Sequence, residues 1–347
     1  MATGWPMKTT YANGDVYSAS DVNDITGTVN LLQTSTLSNQ AGKNYLINGG
    51  FDIWQRGTSF TATGYCADRF YTVIGGTTTV SQSTDVPTGV LAQYSLQGVT
   101  GASSSYSHFY QALESATVKP LQGKTVTLSV YVKTAGSYSG NFNLMANYST
   151  STDSWSGQSV NIFTTAYAGS AYTSWGRITA TFTVPATAVG LRVQIENVSA
   201  QASGVTLRTC GWQLELGSYA TTFSRAGGTI QGELAACQRY YWRESGVNAT
   251  TAYKYIASGS NYSSTLALGT YYLPVVMRTT PSFSSSGNFC VFQGSSNISV
   301  TAMSSDGAST NTVGIGATVA SGLTAGYAGN IRVNNNNTAY IEFSSEL

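Results

Sequence analysis

The chain has 347 residues, of which only 9% are charged, against roughly 25% in an ordinary soluble domain. Its 16 Lys and Arg balance 15 Asp and Glu to a formal net charge of +1 with no basic run, so the phosphate attraction on which nucleic-acid binders rely is missing. With 41% hydrophobic and 12% aromatic residues, the chain holds enough core to exclude disorder, and its length suits two or three domains.

The first segment, 1–43, opens without the basic start and apolar run of a signal peptide. No stretch of the chain approaches the roughly 20 apolar residues of a membrane span, and the expectation is a chain made in the cytoplasm with no membrane partner. After the turn signal Asn13-Gly14, Ser20 is placed to cap a helix on which Val22, Ile25, Val29 and Leu32 recur at spacings of 3, 4 and 3. This seam covers about one and a half heptads, and a helix so short, interrupted by Gly27, is marginal alone. Docking on the chain's own next domain and self-association around a symmetry axis are both open to it.

Segment 44–225 carries the alternation of half-buried strands. Val126, Leu128, Val130 and Val132 alternate with Thr and Ser, Ile178 to Val184 with Thr, and Leu191, Val193 and Ile195 with Arg and Gln. From Val205 to Leu216 the apolar phase switches at Gly211, where a bulge would re-aim the side chains. Strands joined by Gly, Ser and Pro turns predict an antiparallel sandwich. A linking helix follows over 226–242, with Ile230, Leu234, Cys237 and Tyr241 on one stripe and Thr229 as its cap. Strands return in 243–347, at Leu266 to Met277 with Pro274 at an edge or bulge, Asn288 to Gln293, Ile298 to Ala302 and Ala339 to Phe343. The fold class read from the pattern is therefore all-β: one antiparallel sandwich, a second smaller sandwich, a short N-terminal helical segment and one linking helix.

The stretch Asn44-Tyr45-Leu46-Ile47-Asn48-Gly49-Gly50-Phe51-Asp52-Ile53-Trp54-Gln55-Arg56-Gly57, with Gly64-Tyr65-Cys66-Ala67-Asp68-Arg69-Phe70 after it, resembles a family of bacteriophage tail and fibre proteins. Gly211 to Gly217, Leu234 with Cys237 to Tyr241, and the ending Ser344-Ser345-Glu346-Leu347 continue the likeness, so it covers nearly the whole chain. It implies a virion appendage, a tail or capsid fibre subunit and a homotrimer at the phage particle surface. In that reading 1–43, with Val22, Ile25, Val29 and Leu32, attaches to other virion proteins of the tail, baseplate or capsid, and the rest meets host cell-surface polysaccharide. Asn48 to Asp52 is also similar to the first strand of jelly-roll carbohydrate-binding modules, which implies a structural calcium on Asp52 and Glu215; no other cofactor is implied. Cys66 departs from the polar residue expected there.

Chemistry is sparsely supplied. His108 is the one histidine, without a nucleophile elbow beside it, and Asp68, Glu114, Asp153 and Glu196 offer carboxylates in no recognisable motif. Cys66, Cys210, Cys237 and Cys290 show no disulfide or zinc spacing and read as buried thiols. The expectation is a binding protein and not an enzyme, with an architectural adaptor and a polysaccharide depolymerase as alternatives. Sugars present apolar faces to aromatic rings, and the richest aromatic stretch supplies Tyr138, Tyr148, Trp155, Tyr167 and Tyr172 as candidate ligand contacts, with Tyr253, Tyr255 and Tyr262 as a second cluster.

Overall fold

The structure, a computed structural model, describes residues 42–102, 107–155, 159–246 and 253–347. The seam of Val22, Ile25, Val29 and Leu32 lies outside the described residues. Strands β1 (Ser59–Phe60), β2 (Gly64–Tyr65), β3 (Tyr71–Val73), β4 (Thr79–Ser83), β5 (Ser95–Val99) and β6 (Ser107–Leu113) come first. The short helix α1 (Ser115–Val118) follows, then β7 (Thr125–Ala135), β8 (Asn141–Ser149), β9 (Val160–Ala168), β10 (Gly176–Thr183), β11 (Gly190–Asn197) and β12 (Thr206–Leu216). They form two six-stranded sheets in the orders β1-β4-β5-β12-β7-β10 and β2-β3-β6-β11-β8-β9, with all pairs antiparallel. Val126, Leu128, Val130 and Val132 from one sheet meet Phe109, Leu144, Leu191, Val193 and Ile195 from the other in a continuous core. Each of these sits at every second position, which is what a pleated strand with one face on the core requires.

The bulge expected at Gly211 is present: the β12–β7 register shifts between Cys210 and Gln213, and Gly211 has φ +61°, a left-handed value that glycine adopts at least cost. Gly49 is fixed by a close approach instead, since a Cβ there would lie 2.1 Å from the Trp212 carbonyl oxygen.

Helix α2 (Ile230–Gln238) is capped as predicted, with the Thr229 side chain accepting from Gly232 N. It is shorter than 226–242 because Tyr241 already begins a strand. The C-terminal half comprises β13 (Tyr241–Ser245), β14 (Tyr255–Asn261), β15 (Leu266–Tyr272), β16 (Ser282–Ser286) and β17 (Phe289–Gln293), then β18 (Ser296–Ala308), β19 (Thr312–Val319), β20 (Ala328–Val333) and β21 (Tyr340–Ser344). The second, smaller all-β unit is there, and its strands close further than a simple two-sheet packing: β14-β15-β19-β18-β17-β20 form a barrel beside the sheet β13-β21-β16. β15 stops two residues short of Pro274, which cannot donate to a ladder. Among the described residues no helix is long and apolar enough to cross a membrane.

The two halves are joined by buried charge. Glu346 receives Arg56 (3.1 Å) and Arg69, and Arg69 also donates to the Ala112 carbonyl (2.8 Å) and stacks over Tyr240 at 3.5 Å. Tyr65 OH donates to the Leu347 carbonyl oxygen (2.9 Å), while Arg278 bridges Ser345 and Glu346 carbonyls to Asp153.

Candidate functional site

Strands β6, β11 and β8 are adjacent in the middle of the second sheet, so their non-core positions share one outward face. Register aligns Tyr110 with Gln194 and Gln194 with Met145, while Glu196 lies between His108 and Asn143. On the next strand Tyr71 is opposite Tyr110, and Tyr65 is opposite Tyr71. The result is a ladder of phenols: Tyr65 and Tyr71 meet edge-on at 5.1 Å, and Tyr71 and Tyr110 stack at 5.0 Å with 23° between planes. Arg192 continues the row, its guanidinium 4.9 Å from the Tyr110 ring and 5.0 Å from that of Trp155. The C-terminal carbonyl that holds Tyr65 makes the other half of the molecule a wall at one end of this ladder.

Polar groups punctuate the aromatic surface. Gln194 is only 6% exposed, and its Nε2 donates to Met145 Sδ (3.3 Å) while its Oε1 has no protein partner among the described residues. Burial lifts the Glu196 carboxyl above its ordinary range, because a low-dielectric setting disfavours the charged form. Burial and then the Arg192 cation push His108 down to about 4, so the imidazole is neutral at pH 7. Burial raises the Tyr110 phenol, with Arg192 opposing it. Near neutrality the face is thus a row of rings beside one guanidinium, one carboxylate, a neutral imidazole and the amides of Gln194, Asn143 and Asn147. This set can stack on an apolar ring face and exchange hydrogen bonds with hydroxyls.

Of the five aromatic residues predicted as ligand contacts, Trp155 alone lies on this face. Tyr138 is a core residue, 7% exposed, with its hydroxyl donating to Asn197 Oδ1 (2.8 Å). Tyr148 is opposite Leu191 and packs against the core. Tyr167 and Tyr172 pack on Phe142 at 5.8 and 5.5 Å, and Tyr167 OH donates to Thr179 O. Strand parity turns Tyr148 and Tyr167 inward, opposite Leu191 and Phe142, while Tyr138 in the β7–β8 connection and Tyr172 in the turn Gly169–Tyr172 pack on Phe142 from the margin, a point that aromatic density in a sequence does not register. The residues missed were Tyr65, Tyr71, Tyr110, Arg192 and Gln194, while His108 and Glu196 enter from the sequence only as candidate catalytic groups. Their signal was the polar half of the 191–196 alternation and its counterpart at His108 and Tyr110.

The calcium expected on Asp52 and Glu215 does not fit. Asp52 takes Arg225 Nε (2.7 Å) on one oxygen and Gln93 N (2.9 Å) on the other. Glu215 accepts from Thr221 N, Thr221 Oγ1 and Gln213 Nε2, with Lys43 at 3.8 Å. Both carboxylates are filled by protein donors, whereas calcium requires six to eight oxygens around it. The candidate acids disperse similarly: Asp68 is fully buried near Arg56, Glu114 pairs with Arg239, and Asp153 with Arg278. Glu196 is the only one of the four on the aromatic face, so the second carboxylate of a glycosidase pair is not supplied there by this group. All four cysteines are free and buried.

No protein-family model matches the sequence, and no curated protein matches it. Among solved structures, the enzymatically active domain of bacteriophage CBA120 tailspike protein 4 aligns with 50% of this chain and 21% of its own at 13% identity and TM-score 0.37. The CBM22-1 xylan-binding domain of Paenibacillus barcinonensis Xyn10C aligns over 52% of this chain and 99% of its own at 14% identity, TM-score 0.32. A sugar-binding protein of Bacteroides thetaiotaomicron, so described provisionally, aligns over 50% and 100% at 9% identity, TM-score 0.36. The chain spans about a fifth of the length of the tailspike domain.

Proposed function

We propose that the outward face of β6, β11 and β8 binds host cell-surface polysaccharide, and that the protein is a virion appendage subunit, a homotrimer carried on the phage particle. The observation that carries the binding reading is the half-buried row Tyr65, Tyr71, Tyr110, Arg192 and Trp155 on the outward side of the sheet, set beside the buried, unpartnered Gln194 Oε1. A polysaccharide is long and repetitive, and an open strand face accepts it along its length where a closed pocket would need an end. Most of the face carries hydroxyls, amides and rings, which suits hydroxyl-rich ligands more than polyanions. The virion role and the attachment of 1–43 to tail, baseplate or capsid proteins rest on the motif resemblance.

Binding without cleavage is favoured because Asp68, Glu114 and Asp153 are engaged in ion pairs away from Glu196. An array of host surface glycans probed with the full-length protein and with Tyr71→Ala/Tyr110→Ala tests the reading. Retention by the parent and loss in the variant are expected; no retention of any host glycan leaves the architectural adaptor as the better account. Size-exclusion light scattering tests the trimer, and a strictly monomeric chain at micromolar concentration overturns it.

A further inference from the structure

The barrel contains a second feature that the aromatic sheet face does not involve. Strands β14 and β15 are paired only from Ser258 to Asn261 against Ala267 to Thr270. Beyond Ser258 and Thr270 they part, β14 following β20 through a bulge between Tyr255 and Ala257 and β15 following β19 through Tyr271 and Tyr272. The β14–β15 ladder therefore ends part-way along this side of the barrel, and an open surface groove of about 560 Å³ lies over the place where the two strands diverge, within the roughly 300–1,000 Å³ of small-ligand sites.

The lining has a consistent chemistry. Tyr255 and Tyr272 flank the opening at 54% and 73% exposed, and Tyr271, 8% exposed, forms part of its wall. Tyr271 OH is already committed, donating to Glu244 (2.8 Å) and accepting from Trp242 Nε1 (2.7 Å), so that ring is immobilised. Tyr255 OH accepts from Arg332, whose guanidinium lies 5.6 Å from the Tyr255 ring and 3.9 Å from Phe292. The Tyr272 phenol has no protein partner among the described residues. Ser258 and Thr270 add hydroxyls, and among the described residues that line the groove none is charged, Arg332 standing at the Tyr255 hydroxyl.

We infer that the seam between β14 and β15 is a second carbohydrate site, taking one or two sugar rings of a neutral oligosaccharide between Tyr255 and Tyr272. The residues that line the groove are uncharged, so ring stacking and hydroxyl contacts carry recognition there, and two exposed phenols at the rim match the apolar faces of pyranose rings. The inference does not rest on the sheet-face reading, and either site can fail alone.

The test uses the full-length protein carrying Tyr71→Ala/Tyr110→Ala, with and without Tyr255→Ala/Tyr272→Ala, titrated with cellohexaose, maltohexaose and β-1,4-galactotriose, and with hexagalacturonate as the acidic counterpart. Tyrosine-ring NMR resonances report the site, those of Tyr255 and Tyr272 being identified by their loss in the variant, and isothermal titration calorimetry gives the affinity with and without the two rings. Saturable shifts of those two rings with at least one neutral oligosaccharide are expected, with affinity falling about tenfold or more when both rings are removed. Unchanged melting of this variant shows that the loss is local, since both positions are exposed. The inference is overturned by equal affinity in the variant, by silence of both rings toward all three neutral sugars, or by a response to hexagalacturonate alone. Light scattering that shows these substitutions dissolving an oligomer also overturns it, because the seam is then a contact between copies.

Discussion

Glu346 faces two cations from the other half of the molecule, Arg69 and Arg56, and Glu346→Gln isolates its contribution. The carboxylate is 4% exposed, and its partners Arg69 and Arg56 are 2% and 11% exposed, so the pair belongs with buried ion pairs and not with surface ones. Losing one partner of such a pair leaves uncompensated buried charge and typically costs about 3–5 kcal/mol. Here the remaining contacts soften the loss. Arg69 keeps the Ala112 carbonyl and the Tyr240 ring, Arg56 keeps Asp68 at 3.8 Å and the Tyr241 ring at 3.4 Å, and glutamine preserves one acceptor. The expected loss is therefore about 3 kcal/mol, at the lower end of that range, and a fall in Tm on the order of 5 °C for a chain of this size. Differential scanning calorimetry with urea unfolding reads both quantities. Adding Arg69→Met to Glu346→Gln should restore part of the stability, because the stranded charge goes with it. A loss under about 0.5 kcal/mol, the value of an exposed pair, refutes the buried-lock account.

The other expectations are shorter to state. His108 has a folded pKa of about 4 against an ordinary 6.5, so the unfolded chain takes up its proton first as pH falls. Stability should decline between pH 6.5 and 4 by up to roughly 3 kcal/mol, and His108→Asn should flatten that decline; an NMR titration midpoint near 6.5 contradicts it. Glu196 runs the other way, its raised pKa making the ionised form a burden above the ordinary carboxylate range, so Glu196→Gln should raise Tm at pH 7, and a lower Tm counts against the burial argument. Tyr138→Phe removes the hydroxyl bonded to Asn197 and should cost about 1 kcal/mol with glycan retention unchanged; lost retention restores Tyr138 to the binding site. Calcium addition and chelation should leave Tm unchanged, and a calcium-dependent rise would show a site that Asp52 and Glu215 do not provide in their present contacts.

Strand architecture was readable wherever one face is buried and the other wet, as at Leu191, Val193 and Ile195, and the Gly211 phase switch located a bulge to the residue. The Thr229 cap was equally legible because N-capping is a local interaction. Closure of the barrel was not, since it depends on pairing β14 with β20 across some 70 residues, and no local pattern encodes a partner so distant. The binding face was half legible. The alternation that identified Leu191, Val193 and Ile195 as core also assigned Arg192, Gln194 and Glu196 to the other side, but only the sheet order sets them beside Tyr110 and Tyr71. Asn48 through Phe51, part of the stretch that carries the family resemblance, are structural. The Asn48 side chain donates to the Ile53 and Asp68 carbonyls and accepts from Ile53 N, while Phe51 is buried at φ +53°.

His108 is the chain's one histidine and lies on the proposed polysaccharide face, opposite Glu196 and 5.7 Å from the Tyr110 ring. Its imidazole carbon–proton signal is therefore a unique reporter that needs no assignment. Titrating host surface polysaccharide fragments into the full-length protein should move that signal saturably, with the same midpoint as the heat measured by calorimetry, and Tyr71→Ala/Tyr110→Ala should abolish both. Calorimetric binding that leaves the His108 signal fixed and survives the double substitution would place the ligand elsewhere and contradict the account.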